Sequence, residues 1–129
     1  MRVLIIDDSR ATRAVLKGIM KEIGFEVFEA GDGREALECL KTIGKPDLAL
    51  VDWNMPEMNG YDFVCSVRAN HDYDDLPLMM VTSEAEISKM AKVLEAGANE
   101  YIMKPFSMDA LLEKLSLLGI SVQRTGCGV

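Results

Sequence analysis

A basic surplus, histidine and long apolar runs are what this sequence lacks. Its 14 lysines and arginines stand against 21 aspartates and glutamates, for a formal charge of −7. That balance argues against a direct partner in nucleic acid or anionic membrane. The one histidine, His71, has no second histidine for a metal-ligand set or a proton relay, and in Asn70-His71-Asp72-Tyr73-Asp74-Asp75 it reads as a solvated loop residue. Cysteine is scarce too. Cys39, Cys65 and Cys127 form neither a disulfide framework nor metal-ligand spacing, and they read as small half-buried residues plus one tail thiol. The longest apolar runs last four or five residues, far short of the ~20 that a membrane-spanning helix takes. Met1-Arg2-Val3-Leu4-Ile5-Ile6-Asp7 meets acid too soon for a secretory segment. A cytoplasmic protein is expected.

What is present is ordinary globular material. With 129 residues, 49% apolar and 27% charged, the chain suits one domain with a core large enough to fold without staples. Val3-Leu4-Ile5-Ile6, Leu48-Ala49-Leu50-Val51 and Leu78-Met79-Met80-Val81 are continuous apolar runs, as expected for strands covered on both faces. Weaker strands are predicted over Glu26 to Ala30 and Glu100 to Met103. Helical periodicity lies between them: Val15, Leu16, Ile19, Met20 and Ile23, then Ala36, Leu37, Leu40 and Ile43, then Phe63, Val64 and Val67. Ile87, Met90, Ala91 and Leu94 mark a fourth helix, and Met108, Leu111, Leu112 and Leu115 a fifth. Asp32, Asn59 and Ser107 can cap helix starts, and Gly24, Gly44, Gly97 and Gly119 follow helix ends. Strand and helix therefore alternate, which predicts a doubly wound α/β domain on a parallel sheet. The domain is expected to fill residues 1–119, with a loosely held tail over 120–129.

The informative polar residues all sit at the C-terminal ends of the predicted strands. Asp7 and Asp8 end the first, Asp52 the third, Thr82 the fourth and Lys104 the fifth. Open α/β sheets bind ligands outside those strand ends. Carboxylates gathered there repel one another, by about 3 kcal/mol for a pair roughly 5 Å apart at an effective dielectric near 20. A hard divalent ion with oxygen ligands relieves that repulsion, and Mg2+ characteristically adds a phosphate oxygen to its carboxylates. Lys104 supplies a fixed positive charge and Thr82 a hydroxyl donor. Together they describe a seat for a phosphoryl group.

Asp7-Asp8, Asp52, Thr82 and Lys104-Pro105, in that order and spacing, resemble the signature of response-regulator receiver domains, and the likeness runs from about Arg2 to Leu118. Asp52-Trp53-Asn54-Met55-Pro56, Thr82-Ser83-Glu84, and Glu95-Ala96-Gly97-Ala98 followed by Tyr101 and Lys104-Pro105-Phe106 most resemble the family's chemotaxis regulators. The resemblance implies a flavodoxin-like (βα)5 fold on a five-stranded parallel sheet with strand order 2-1-3-4-5, an order that comes with the likeness and not from the spacing of these residues. It implies a phosphoacceptor switch, not a conventional enzyme, with Asp52 taking the phosphoryl group from a histidine kinase. Asp8 would bind Mg2+ directly, Asp7 mainly through water, and Asp52 and the backbone carbonyl of Asn54 would complete the ligands. Thr82 and Lys104 would contact the phosphoryl group, Tyr101 would turn inward on activation, and Asn54 and Glu84 would tune the acyl phosphate's lifetime.

The output expected from the likeness is a monomer that binds a target such as a flagellar motor switch, with a phosphatase as a possible further partner. Its face would be the fourth helix, fifth strand and fifth helix, near Lys89, Lys92, Val93, Tyr101 and Lys114. A relay intermediate, handing the phosphoryl group to another histidine protein, is the alternative within the family. Phosphatases of the haloacid-dehalogenase type also combine an aspartate nucleophile, Mg2+ and a lysine. They place Asp-x-Asp at the end of strand one, where this chain has Asp7-Asp8-Ser9. Taken singly, each site residue has a plainer reading: Asp7 and Asp8 as helix-capping acids before Arg10, Asp52 as a turn residue, Lys104 as a surface lysine.

Overall fold

Continuous apolar strands need cover on both faces, and amphipathic helices supply it here. The computed structural model describes residues 1–53, 55 and 58–121. Asn54, Pro56, Glu57 and residues 122–129, and with them Cys127 and most of the expected tail, lie outside the described chain. Strands β1 (Arg2–Ile6), β2 (Glu26–Ala30), β3 (Leu48–Asp52), β4 (Leu78–Thr82) and β5 (Glu100–Met103) alternate with helices α1 (Arg10–Glu22), α2 (Gly33–Ile43), α3 (Gly60–Arg68), α4 (Met90–Ala96) and α5 (Met108–Leu117). All neighbouring strands pair in parallel, in the order β2-β1-β3-β4-β5. This is the doubly wound, flavodoxin-like arrangement.

Side chains of a strand alternate between faces, so each central strand feeds two cores. Leu4, Ile6, Ala49, Val51, Leu78 and Met80 pack with Phe63, Val64 and Val67 of α3 and Met90 and Val93 of α4. Val3, Ile5, Leu48, Leu50, Met79 and Val81 pack on the other side with Leu16 and Met20 of α1 and Leu111 and Leu115 of α5. Burial of each such large aliphatic side chain contributes about 1.5–3 kcal/mol against leaving it in water.

Two amphipathic seams depart from the sequence pattern. Val15, expected on the inner side of α1, is 62% exposed, while Leu16, Met20 and Ile23 make the buried stripe. The segment before α4 winds as a 3-10 turn over Glu84–Lys89. Three residues per turn shift the helical phase, so Met90 and Val93 carry the seam while Ile87 and Ala91 face outward. Val93, expected on an output surface, is fully buried.

Caps follow the chemistry foreseen: Asp32, Asn59 and Ser107 accept backbone N–H groups of α2, α3 and α5. Ser9 caps α1 by accepting from Thr12 N at 3.2 Å, so neither Asp7 nor Asp8 is that helix's N-cap. At the opposite end of the sheet Arg68 joins several loops. Its guanidinium donates to the carbonyls of Gly97, Tyr73 and Leu76 and to Asn99 Oδ1, at 2.6–2.9 Å. Arg2 likewise donates to the carbonyls of Ile43 and Lys45 before β3.

Gly60 sets how closely α3 approaches the end of β3. Its N–H donates to Trp53 O at 2.9 Å, and a Cβ there would meet Asp52 O at 2.9 Å and Met80 Cε at 2.6 Å. The backbone contact has no flexible end to yield. Gly60→Ala is therefore expected to lower stability by about 1–3 kcal/mol, as overpacking does, measured by chemical denaturation against wild type.

Candidate functional site

Register alone brings the key acids together. Ile6 pairs with Val51, so the next step along both strands sets Asp7 beside Asp52. Ile5, Leu50 and Ile102 all face the α1 and α5 core, and the two-residue period places Asp7, Asp52 and Lys104 on that same side. Thr82 follows the other phase, with Met80. The Lys104 N–H donates to Thr82 O at 2.7 Å, which ties the ends of β4 and β5. The Lys104–Pro105 peptide is cis.

The side chains meet in a cleft of about 250 Å3 whose lining includes Asp7, Asp8, Asp52, Thr82 and Lys104. One carboxylate oxygen from each of Asp7, Asp8 and Asp52 lies within 4.8 Å of the others. Asp7 is 2% exposed and Asp52 8%, whereas Asp8 is exposed at the rim. Lys104 Nζ stands 3.6 Å from Asp52 Oδ1. Thr82 is buried, and its hydroxyl makes a long 3.4 Å contact to Ser83 O.

Electrostatics follow from this crowding. Burial pushes the Asp52 carboxyl up to about 6, the charge of Asp7 adds to the rise, and Lys104 offsets part of it. Burial likewise raises Asp7, against the hydrogen bond from Ser9 N and the charge of Lys104. Asp7 Oδ1 accepts that N–H at 2.9 Å, but its Oδ2 is buried without a hydrogen-bond partner among the described residues. An unsatisfied buried polar atom costs about 1–3 kcal/mol, and a charged one more. The three converging carboxylate oxygens and this orphaned atom fit a hard cation with oxygen ligands.

Of the other expected residues, Tyr101 is half-buried on the α4 side of the sheet, on the same face as Thr82. Lys114 Nζ lies 4.9 Å from its ring centroid. Glu84 is exposed at the start of the 3-10 turn, and Glu86 is the acid of that turn that lines the cleft. Ser83 donates its hydroxyl to Glu86. The Ser-x-x-Glu spacing of 83 to 86 is a helix-start signal that could have drawn attention to it. Trp53, 8% exposed, carries Lys89 Nζ 5.6 Å from its ring centroid. Asn54, assigned a metal-ligating carbonyl and a role in lifetime, lies outside the described residues.

A carboxyl raised in the folded state binds its proton more tightly there than in the unfolded chain. Its stabilising effect is present at low pH and is lost as pH rises through the folded value. Asp52 therefore destabilises the metal-free fold progressively between about pH 4 and about pH 6, by about 2 to 3 kcal/mol in all. Asp52→Asn is expected to be more stable than wild type by about that much at pH 7 without metal, and the gain should vanish near pH 4. Denaturant titrations of both proteins across that range check it.

Known proteins share this arrangement. The family model for the response regulator receiver domain matches residues 3–116. The chain is 40% identical over 119 residues to chemotaxis protein CheY1 of Helicobacter pylori, covering 92% of this chain and 96% of that one. It is 40% identical over 116 residues to chemotaxis protein CheY-3 of Vibrio cholerae, covering 89% and 88%. The crystal structure of Vibrio cholerae CheY4 superposes with a TM-score of 0.82 at 35% identity, over 91% of this chain and 97% of that one. Strand order, strand-end acids and sequence likeness thus agree, and the chain belongs to the response regulator receiver domains, in their CheY-like chemotaxis branch.

Proposed function

We propose that the protein is a phosphorylation switch in which Asp52 accepts a phosphoryl group from a phosphohistidine of a sensor kinase. The observation that carries this reading is the pairing of Asp52 with Lys104 at 3.6 Å inside a cleft of three converging carboxylates. An acid with a value of about 6 is mostly ionised at neutral pH, so Asp52 is available as nucleophile. A carboxylate oxygen of Asp52 attacks phosphorus, the P–N bond breaks, and its electron pair returns to the imidazole nitrogen. Lys104 is placed to hold a phosphoryl oxygen by its charge, and the Thr82 hydroxyl to donate to another. Asp7, Asp8 and Asp52 would hold Mg2+, which when bound offsets the charge of the carboxylates and of the transferred group.

The output follows from where the cleft connects. Thr82 and Tyr101 share a face across β4 and β5, so a Thr82 drawn toward the phosphoryl group opens space that Tyr101 can occupy. A target that prefers that state binds the α4, β5 and α5 face, with Lys89, Lys92 and Lys114 on its surface, and shifts the population. Given the chemotaxis relatives, the proposed target is a flagellar motor switch. The switch itself is residues 1–119, working as a cytoplasmic monomer, and 120–129 form its tail. Glu84, exposed beside the cleft, and Asn54 are proposed to set how fast water removes the group.

Acetyl phosphate with Mg2+ should phosphorylate the purified protein, and intact mass with peptide mapping should place the group on Asp52. Asp52→Asn incorporating phosphate at the wild-type rate would sink this reading. Asp8→Asn separates stability from function. Without metal it should be as stable as wild type or more so, by about 1 kcal/mol from relieved repulsion at an exposed position. Added Mg2+ at fixed ionic strength should raise the melting point of wild type through linkage but scarcely that of Asp8→Asn.

A further inference from the structure

Between the two acids that begin the cleft lies a single peptide plane, and something must fix it. Up to Asp7 the sheet does so: the Asp7 N–H donates to Ala30 O at 3.1 Å. Beyond that bond the chain leaves the ladder, whose last β1 pairings are Ile6 with Ala30 and with Val51, and the Asp7 carbonyl is left to a side chain. Arg13 takes it, donating from Nη1 at 2.5 Å. The same guanidinium is anchored from behind by Glu29 of β2, 3.4 Å from Nε, and Glu29 also meets Lys17 Nζ at 3.3 Å.

The Arg13 side chain is only 16% exposed, so its charge-assisted bond to the carbonyl is partly shielded from water and stronger than a surface contact. The held plane joins Asp7 to Asp8. Rotating it would swing the Asp8 side chain and drag the buried Asp7 carboxylate, which the Ser9 N–H holds at Oδ1 while Oδ2 has no partner among the described residues. We propose that Arg13 is a positioning residue of the phosphoryl-transfer site: it fixes the Asp7–Asp8 peptide, and so presents both carboxylates to one divalent cation. Arg13 touches neither the cation nor the phosphoryl group. The inference rests on the proposed function of the cleft. Groups that orient metal ligands commonly change metal affinity by about 10- to 100-fold when removed.

The test is Mg2+ titration by calorimetry of wild type, Arg13→Met, Arg13→Lys and Glu29→Gln, all well below their melting points, with metal-free melting points measured in parallel. Arg13→Met, which keeps the stem and loses the donors, should bind Mg2+ about 10-fold more weakly. Arg13→Lys, with one compact charge in place of the fork, should fall between it and wild type. Glu29→Gln should shift affinity in the same direction by less. A purely structural arginine would lower the melting point and leave affinity untouched, and that result in Arg13→Met would overturn the assignment. Should Arg13→Met fail to fold, Arg13→Lys decides: weaker Mg2+ binding supports the proposal, and wild-type affinity overturns it. Wild type that binds no Mg2+ would instead overturn the reading of the cleft, and this inference with it.

Discussion

Two carboxylates on neighbouring parallel strands cannot move apart, and the rest of the molecule is arranged around that constraint. The ladder that sets Ile6 against Val51 sets Asp7 beside Asp52, and the core on both faces keeps the ladder rigid. In water the acids would separate or solvate. Held at the strand ends they stay buried instead, and burial first, with the charge of Asp7 second, raises Asp52 to about 6, so the cleft is a place where positive charge is drawn in. Lys104 supplies part of it from β5, and its backbone tie to Thr82 fixes that lysine's strand against β4. Fold stability is therefore spent in holding an unfavourable arrangement that only a ligand of the right charge relieves.

The sheet was legible because its central strands are unbroken apolar runs. Leu48-Ala49-Leu50-Val51 has no polar residue to suggest a wet face, and all four are buried. The site was legible because each of its acids ends such a run, and topology does the rest. What was not legible depended on winding and on backbone contacts. The helical pattern through Ile87 and Ala91 assumed one uniform α-helix, but the 3-10 turn changes the phase and hands the seam to Met90 and Val93. Val15 reads as core by its character, yet it lies open on the groove that Ile19 and Phe106 also line. Arg13 gives no signal at all: an arginine on an amphipathic helix is ordinary, and its partner is a carbonyl, which carries no side-chain identity to pattern.

The two ends of the sheet are built on opposite principles. At the strand C-termini, acids crowd and one buried carboxylate oxygen lacks a partner among the described residues. At the N-termini, carbonyls are collected by cations: Arg68 gathers the loops before β4 and β5, and Arg2 those before β3. Arg68 is buried enough that its own proton affinity is lowered, with Asp74 and Asp75 opposing the effect.

Met80 occupies an unusual crossing in this frame. Its methyl group lies under Gly60, where α3 closes on the carbonyl of Asp52, and its backbone pairs with Tyr101 across β4 and β5. One side chain thus borders both the end of β3 and the strand bearing the aromatic of the proposed output face. Methionine methyls give sharp, isolated resonances when carbon-13 labelled. Met80 is consequently a native spectroscopic probe, placed to register changes beside Gly60 and beside Tyr101 without any foreign group in the chain.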